Sequence, residues 1–445
     1  MSVKGYPPMK RINIADGINL NIIPSDKFKT NHLKINFTLP LTRAVAPLAS
    51  LLPRVLRRGC EKYPTMTSLN RRLEYLYATV LGGGSSKYGE NETITFNANF
   101  LKNELIPDDT DLLSLVCDMM ADLIFNPCLE NGVFKEEYVE SEKKNLIDAI
   151  EAEINNKSSY ANKRLFDIMC ENEPYSVSHL GTVESVEAVD AKALADFYRT
   201  EFAKAPIEIF FVGKCDDAAL EAKIREKFAS FGRMANTSNG AYVCEKVSQL
   251  KRVTEEMPVN QGKLSIGFRT GACTEKGNVE KFLVFNTIFG GSPTSKLFEN
   301  VREKLSLCYY CSSRFIAAKG IMYIASGVKV GDETAAEEEI LRQLDAMKNG
   351  DFSENDITVA KMSLENSYIS CYDDADRLAD WYLTRIITGA EYTTIEKVIE
   401  KINKVTKQDI VDIASTVVQD TVYFLKGTNL DGDDEADEED ENAEA

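Results

Sequence analysis

The chain has 445 residues, more than one ordinary domain holds, and its 44% hydrophobic content is enough for more than one core. Asp and Glu outnumber Lys and Arg by 70 to 52; ten of the acids fall at or after Asp431, so the net charge of −18 becomes −8 without that tail. This balance argues against nucleic acid as a partner, and no run of about 18 apolar residues marks a membrane span.

The opening Met1-Ser-Val-Lys-Gly-Tyr-Pro-Pro8 has no apolar signal core, so a cytoplasmic location is expected. The ten scattered cysteines then read as reduced and mostly buried. The only Cys-x-x-Cys, Cys308-Tyr-Tyr-Cys311, falls in an expected strand. There its two side chains would point to opposite faces and serve packing.

In chain order, His32-Leu-Lys-Ile-Asn-Phe-Thr38 alternates as a half-buried strand does, with His32 at a half-exposed position. A helix is expected from about Pro47 to Arg58, where Arg57 and Arg58 suit a helix C-terminus. Gly82-Gly-Gly-Ser-Ser86 is followed by no Lys-Ser/Thr opening a helix, so it is no phosphate cradle and reads as a hairpin turn or interface loop. Glu92 to Phe100 is a strand, Asp111 to Phe125 a helix, and Val133 to Cys170 a long charged helical region broken near Asn155. His179 lies in a Ser-rich loop, where it caps or is solvated. Asp190 caps a helix to Tyr198, and the strand Ile207 to Gly213 follows. Gly232 to Gly240 is small, polar and turn-rich, as a linker is.

The second half repeats this order. Lys263 to Arg269 alternates like His32 to Thr38, and the apolar helix Val279 to Phe289 closes on Gly290-Gly291. A Ser-Pro-Thr-Ser turn then restarts a helix that carries Arg302 toward a strand with Tyr309 and Tyr310. Ile321 to Gly327 is a strand, and Glu333 to Lys348 and Asn355 to Thr388 are helical. A capped helix, Thr406 to Ala414, leads to the last strand, Thr421 to Gly427. A period of roughly 200 residues indicates duplication of a whole domain. The expected fold is α+β, with two tandem similar domains, each an antiparallel-rich sheet covered by helices. The boundaries are 1–235, a linker at 236–247, 248–429, and an acidic disordered tail at 430–445.

The segment Phe289-Gly-Gly-Ser-Pro-Thr-Ser-Lys-Leu-Phe-Glu-Asn-Val-Arg-Glu-Lys-Leu-Ser-Leu-Cys-Tyr-Tyr310 resembles the second-half signature of the pitrilysin/insulinase superfamily of zinc peptidases. The similarity is to the branch that includes the mitochondrial processing peptidase. Glu173-Pro-Tyr-Ser-Val-Ser-His-Leu-Gly181, before Thr182-Val-Glu184, is similar to a second stretch of that family. The resemblance spans about 10 to 428 and implies a pair of α/β-roll domains.

Active relatives carry His-x-x-Glu-His on the first helix, where two histidines bind zinc and the glutamate is the general base. This chain has only His32 and His179. By resemblance the ligand positions hold Ser50 and Arg54, the base position Pro53, and the third ligand position, seven residues after Glu142, holds Ala149. Serine is a poor zinc ligand and arginine a permanent cation, so the resemblance implies a degenerate site with no metal and no cofactor.

Active relatives also use an arginine and a tyrosine seven residues apart to bind substrate and stabilise the oxyanion, and Arg302 and Tyr309 have that spacing, with Tyr310 as the alternative. Equally open is a surface ion pair of Arg302 with Glu299 or Glu303 and a packing role for Tyr309. The resemblance implies no enzyme on its own but a non-catalytic subunit of a heterodimer. It would supply Arg/Tyr contacts to a peptide or protein substrate beside a zinc-bearing paralogous chain. Phe289-Gly-Gly-Ser-Pro and Tyr309-Tyr-Cys-Ser-Ser-Arg314 are similar to a bacterial cytoplasmic branch of inactive members associated with elongation factor P modification. The alternatives are a stand-alone peptide-binding or scaffolding protein and, more remotely, an enzyme built on a cysteine, although no cysteine has a convincing histidine partner.

Overall fold

Alternating apolar and polar residues make strands that bury one face or both, and long 3.6-period stretches make the helices that cover them. The computed structural model describes residues 8–231, 240, 242–244, 246–390 and 393–428. The first half runs through β1 (Lys10–Ala15), β2 (Ile18–Pro24), β3 (Thr30–Pro40), α1 (Ala46–Leu56), α2 (Met66–Tyr75), β4 (Val80–Tyr88) and β5 (Asn91–Leu101). After α3 (Leu112–Phe125) come a small hairpin, β6 (Leu129–Glu130) and β7 (Val133–Phe134), and two long helices, α4 (Glu136–Ala152) and α5 (Lys157–Met169). Then follow α6 (Val183–Glu187), α7 (Ala191–Thr200), β8 (Ile207–Gly213) and α8 (Asp217–Phe228).

The second half begins with β9 (Lys251–Met257), β10 (Gly262–Arg269) and α9 (Val279–Phe289). It continues with β11 (Cys308–Ile316), β12 (Ile321–Val328), α10 (Glu333–Lys348), α11 (Glu354–Ser370) and α12 (Ala375–Ile387). It ends with α13 (Ile395–Lys404), α14 (Lys407–Ala414) and β13 (Val418–Gly427). Half of the expected linker at 236–247, and all of the expected tail at 430–445, lie outside the described residues.

The duplication read from the sequence is visible as topology. One sheet has the order β1-β2-β8-β3-β5-β4 and the other, read from its opposite edge, β9-β13-β10-β12-β11. In each, a parallel pair (β2 with β8, β9 with β13) joins an antiparallel set. The chain forms two compact units, each completed by a segment from the other half. The first falls within Met1–Glu151, Val177–Gly240 and Cys371–Tyr392, and the second within Ala152–Ser176, Ala241–Ser370 and Thr393–Ala445. Thus α12 covers β3 and β8 in the first unit, and α5 covers β10 and β13 in the second.

Core residues follow the strand period. Leu33, Ile35 and Phe37 of β3 join Ile94 and Phe96 of β5 and Ile207, Ile209 and Phe211 of β8 in the first core. The Phe37 ring lies 4.2 Å from that of Phe202. In the second unit Leu264, Ile266 and Phe268 of β10 are buried, as are Phe282, Phe285 and Phe289 of α9. His32 differs from expectation. It is 2% exposed, with Nδ1 2.9 Å from the Asn99 amide oxygen and Nε2 3.1 Å from Asp376. The expected solvent face of β3 is covered by α12, which alternation along β3 alone does not reveal.

Candidate functional site

Helix α1 is an apolar helix with one polar stripe. Ala46, Ala49, Leu51, Leu52, Val55 and Leu56 are buried, and Pro53 sits inside it, removing one backbone donor. Three residues past the helix end, Gly59 approaches the Tyr63 carbonyl so closely that a Cβ would stand 2.5 Å from it. Ser50 is buried, and its hydroxyl donates to the His179 backbone carbonyl at 2.6 Å and lies 2.7 Å from the Ser85 hydroxyl. It is therefore held in a structural hydrogen-bond network. The part of His179 that matters here is its backbone. Pro53 offers no base, and Arg54 is a half-buried permanent cation.

Helix α4 carries the position that the resemblance gives to the third ligand. Glu142 pairs with Arg58 at 2.9 Å, and the Arg58 guanidinium also lies 5.4 Å from the Tyr138 ring centre. About two turns further on, Ala149 presents only a methyl group. Among the described residues no group of three or more His, Cys, Asp or Glu could hold a metal ion.

Gly82 to Ser86 is not a turn. It forms the middle of β4, the edge strand, paired with Asn97 to Thr93 of β5. Glycine carries no alternation, so the sequence pattern hides the strand. Cross-strand neighbours crowd two of the three glycines: a Cβ at Gly82 would stand 2.1 Å from Asn97 Oδ1, and one at Gly83 2.6 Å from the Thr95 carbonyl, while one at Gly84 would meet open space. Glu92 of β5 lies fully buried near Ser85 and Lys87; burial pushes its carboxyl up to about 9, so it is neutral at pH 7. This acid was not singled out by sequence reasoning, because its burial depends on the β4 pairing.

In the second unit Arg302 lies in a wide π-type turn, Phe298–Lys304, about 42% exposed, 3.7 Å from Glu303 and with its guanidinium 4.8 Å from the Phe298 ring centre. Tyr309 is 46% exposed and is the extra residue of a β-bulge, since Cys308 pairs with Val328 and Tyr310 with Gly327. Tyr310 is used structurally: its hydroxyl is 2.7 Å from that of Ser158, and the Lys263 ammonium lies 5.4 Å from its ring centre. The bulge also corrects the expectation for Cys308 and Cys311. One extra residue reverses the parity of the strand, and both thiols are buried together. The Cys311 thiol donates to Cys308 and holds it below the ordinary thiol range, while that contact and burial raise Cys311.

Residues 188–364 match the family described as Peptidase M16 inactive domain. Over 412 residues the chain is 36% identical to the probable inactive metalloprotease YmfF of Bacillus subtilis (strain 168), covering 93% of this chain and 96% of that protein. It is 22% identical over 307 residues to the uncharacterized zinc protease YmxG of the same strain, covering 67% of this chain and 71% of YmxG. The crystal structure of a conserved protein from Enterococcus faecalis V583 superposes with a TM-score of 0.89 at 27% identity, covering 96% of this chain and all of that one.

Proposed function

The chain belongs to the M16, or pitrilysin, peptidase family, and from that premise we propose that it is a non-catalytic subunit that holds an extended peptide for a zinc-bearing paralogous chain. On its own it is an inactive peptidase homologue, in keeping with its similarity to a family of inactive domains and to YmfF. The observation that carries the proposal is the state of the first unit. Ser50, which the resemblance aligns with a zinc ligand, is committed to Ser85 and His179, yet the adjacent strand β4 remains a glycine-containing sheet edge. Such an edge presents backbone donors and acceptors that an extended peptide can pair with. A zinc-bearing partner is supported by YmfF and YmxG, which come from one strain and are named inactive and zinc protease respectively.

In the proposed assembly Arg302 and Tyr309 contact the substrate. Both are partly exposed, whereas Tyr310 is tied to Ser158. Arginine binds a carbonyl or carboxylate in fork geometry, and a tyrosine hydroxyl donates to developing negative charge. The test is co-expression with a zinc-bearing homologue from the same cell and assay of peptide cleavage by the pair. Arg302→Ala and Tyr309→Phe should each lower turnover, by about a hundred- to a thousandfold for a lost oxyanion donor and by less for a substrate contact, with melting temperature nearly unchanged. Full activity in both variants would remove the substrate-contact role and leave a scaffolding protein.

A further inference from the structure

Ser50, Arg54 and Arg57 stand at i, i+4 and i+7 on α1 and its C-cap, so they share one stripe. The two ends of that stripe are fixed on β4. Ser50 meets Ser85, and Arg57 donates to the Gly83 carbonyl at 3.3 Å and to the Leu81 carbonyl at 3.5 Å. Arg54 therefore lies between them, alongside the Gly83–Ser85 stretch of the edge. Among the described residues Arg54 has no hydrogen-bond or ion-pair partner, although it is half-buried. Its charge cannot be relieved by losing a proton.

Two further features leave this place cationic. Arg57 is exposed and its two bonds are long, so a strand adding to β4 would take the Leu81 and Gly83 carbonyls and release the guanidinium. Glu92, buried beside Ser85, is neutral at pH 7 and adds no negative charge to that end of the stretch.

We propose that Arg54, with Arg57, forms a carboxylate-binding subsite on the β4 edge, so that the peptide held there is one with an internal Asp or Glu side chain. This rests on the peptide-holding reading above and names its substrate class. An internal side chain fits better than a chain terminus because β4 continues on both sides of the Arg54 position, toward Val80 and toward Tyr88.

The test uses the full chain and fluorescein-labelled eight-residue peptides of β-forming sequence, read by anisotropy at about 50 mM salt, where exposed charges are weakly screened. One peptide carries a central Glu, a second Gln, a third Lys, and a fourth the Glu with an amidated C-terminus. The Glu peptide should bind about tenfold tighter than the Gln peptide, amidation should change little, and Arg54→Gln should abolish the difference while melting stays the same. If Glu and Gln peptides bind equally, or Arg54→Gln keeps the preference, the subsite is wrong while peptide holding stands. If amidation costs as much as Glu→Gln, the ligand is a chain end and the internal side chain is overturned. If no peptide binds, the subsite and the peptide-holding reading fail together. The Glu/Gln comparison on the unmodified chain does not depend on any variant folding.

Discussion

The two units solve one problem differently. Each must hold a helix that arrives from the other half of the chain against the outer face of its sheet. In the first unit the seam is ionic. Lys34 of β3, 4% exposed, reaches Asp376 at 2.8 Å and Asp380 at 2.5 Å on α12, with His32 beside Asp376. At the corresponding position of β10 the second unit has Ser265, whose hydroxyl donates to Asn162 Oδ1 of α5 at 2.8 Å. Around it Ala161 and Leu165 pack on Tyr423 and Leu425, and Gly267 lets Met169 come so close that a Cβ would stand 2.6 Å from its sulfur. The second unit moves its charges to the end of the strand, where Arg269 meets Glu173 at 2.6 Å and Asp420 at 2.8 Å, and Lys319 meets Glu173 at 2.6 Å. Duplicated topology therefore fixes where a helix must sit, while the residues that hold it there are free to diverge.

The strongest way to break this comparison is at Arg269. Its side chain is 4% exposed and its two acidic partners are 7% and 8% exposed, so removing it strands buried carboxylates. Arg269→Met should cost about 3–5 kcal/mol in urea unfolding, the range for breaking a buried ion pair. A loss under about 1 kcal/mol would mean that Lys319 alone compensates the cluster.

Lys34→Met should cost less, about 2–3 kcal/mol at pH 7, because Asp376 and Asp380 are partly exposed and water screens what Lys34 leaves behind. Its pH dependence is the sharper readout. His32 and Lys34 hold Asp376 well below the ordinary carboxylate range, so its contribution is present above the unfolded pKa and is lost as pH falls through the folded value. Burial shifts Asp380 upward against the pull of Lys34, so its contribution has the opposite sign and acid relieves it. Without Lys34 both carboxyls are easier to protonate in the folded state. The penalty of the variant should therefore shrink as pH falls from 7 toward about 4. A penalty that grows on acidification would refute the ionic seam.

These seams also explain what could be read in advance. Strands β3, β8, β10 and β13 are legible because one face of each repeats apolar residues at period two, and Asp190 caps α7 through the Ala193 amide as its position implies. The expectation of a degenerate zinc site rests on residue identity alone at Ser50, Pro53, Arg54 and Ala149. His32 is misread because the carboxylate that buries it, Asp376, comes from the other half of the chain. Gly82 to Gly84 is misread because glycines have no side chains to alternate, and the Cys308–Cys311 pairing because one bulged residue reverses strand parity. Each miss is a long-range or backbone effect that local periodicity does not encode.

The smallest expected effect lies at Ser265 and tests the neutral seam directly. Ser265 is 2% exposed and makes one side-chain hydrogen bond to Asn162, so Ser265→Ala removes one neutral bond and leaves a partner that is only half-buried. The cost should be about 1 kcal/mol, the usual net worth of such a bond, and no larger because the Asn162 amide can turn toward water. Neither group titrates, so the cost should be the same at pH 5 and pH 8, in contrast to the pH-dependent penalty of Lys34→Met. Urea titrations of both variants at the two pH values make the comparison. If Ser265→Ala costs more than about 3 kcal/mol, the hydroxyl is holding more than one neutral bond. If its cost varies with pH, a charged group reaches this position, and the division into an ionic and a neutral seam is wrong.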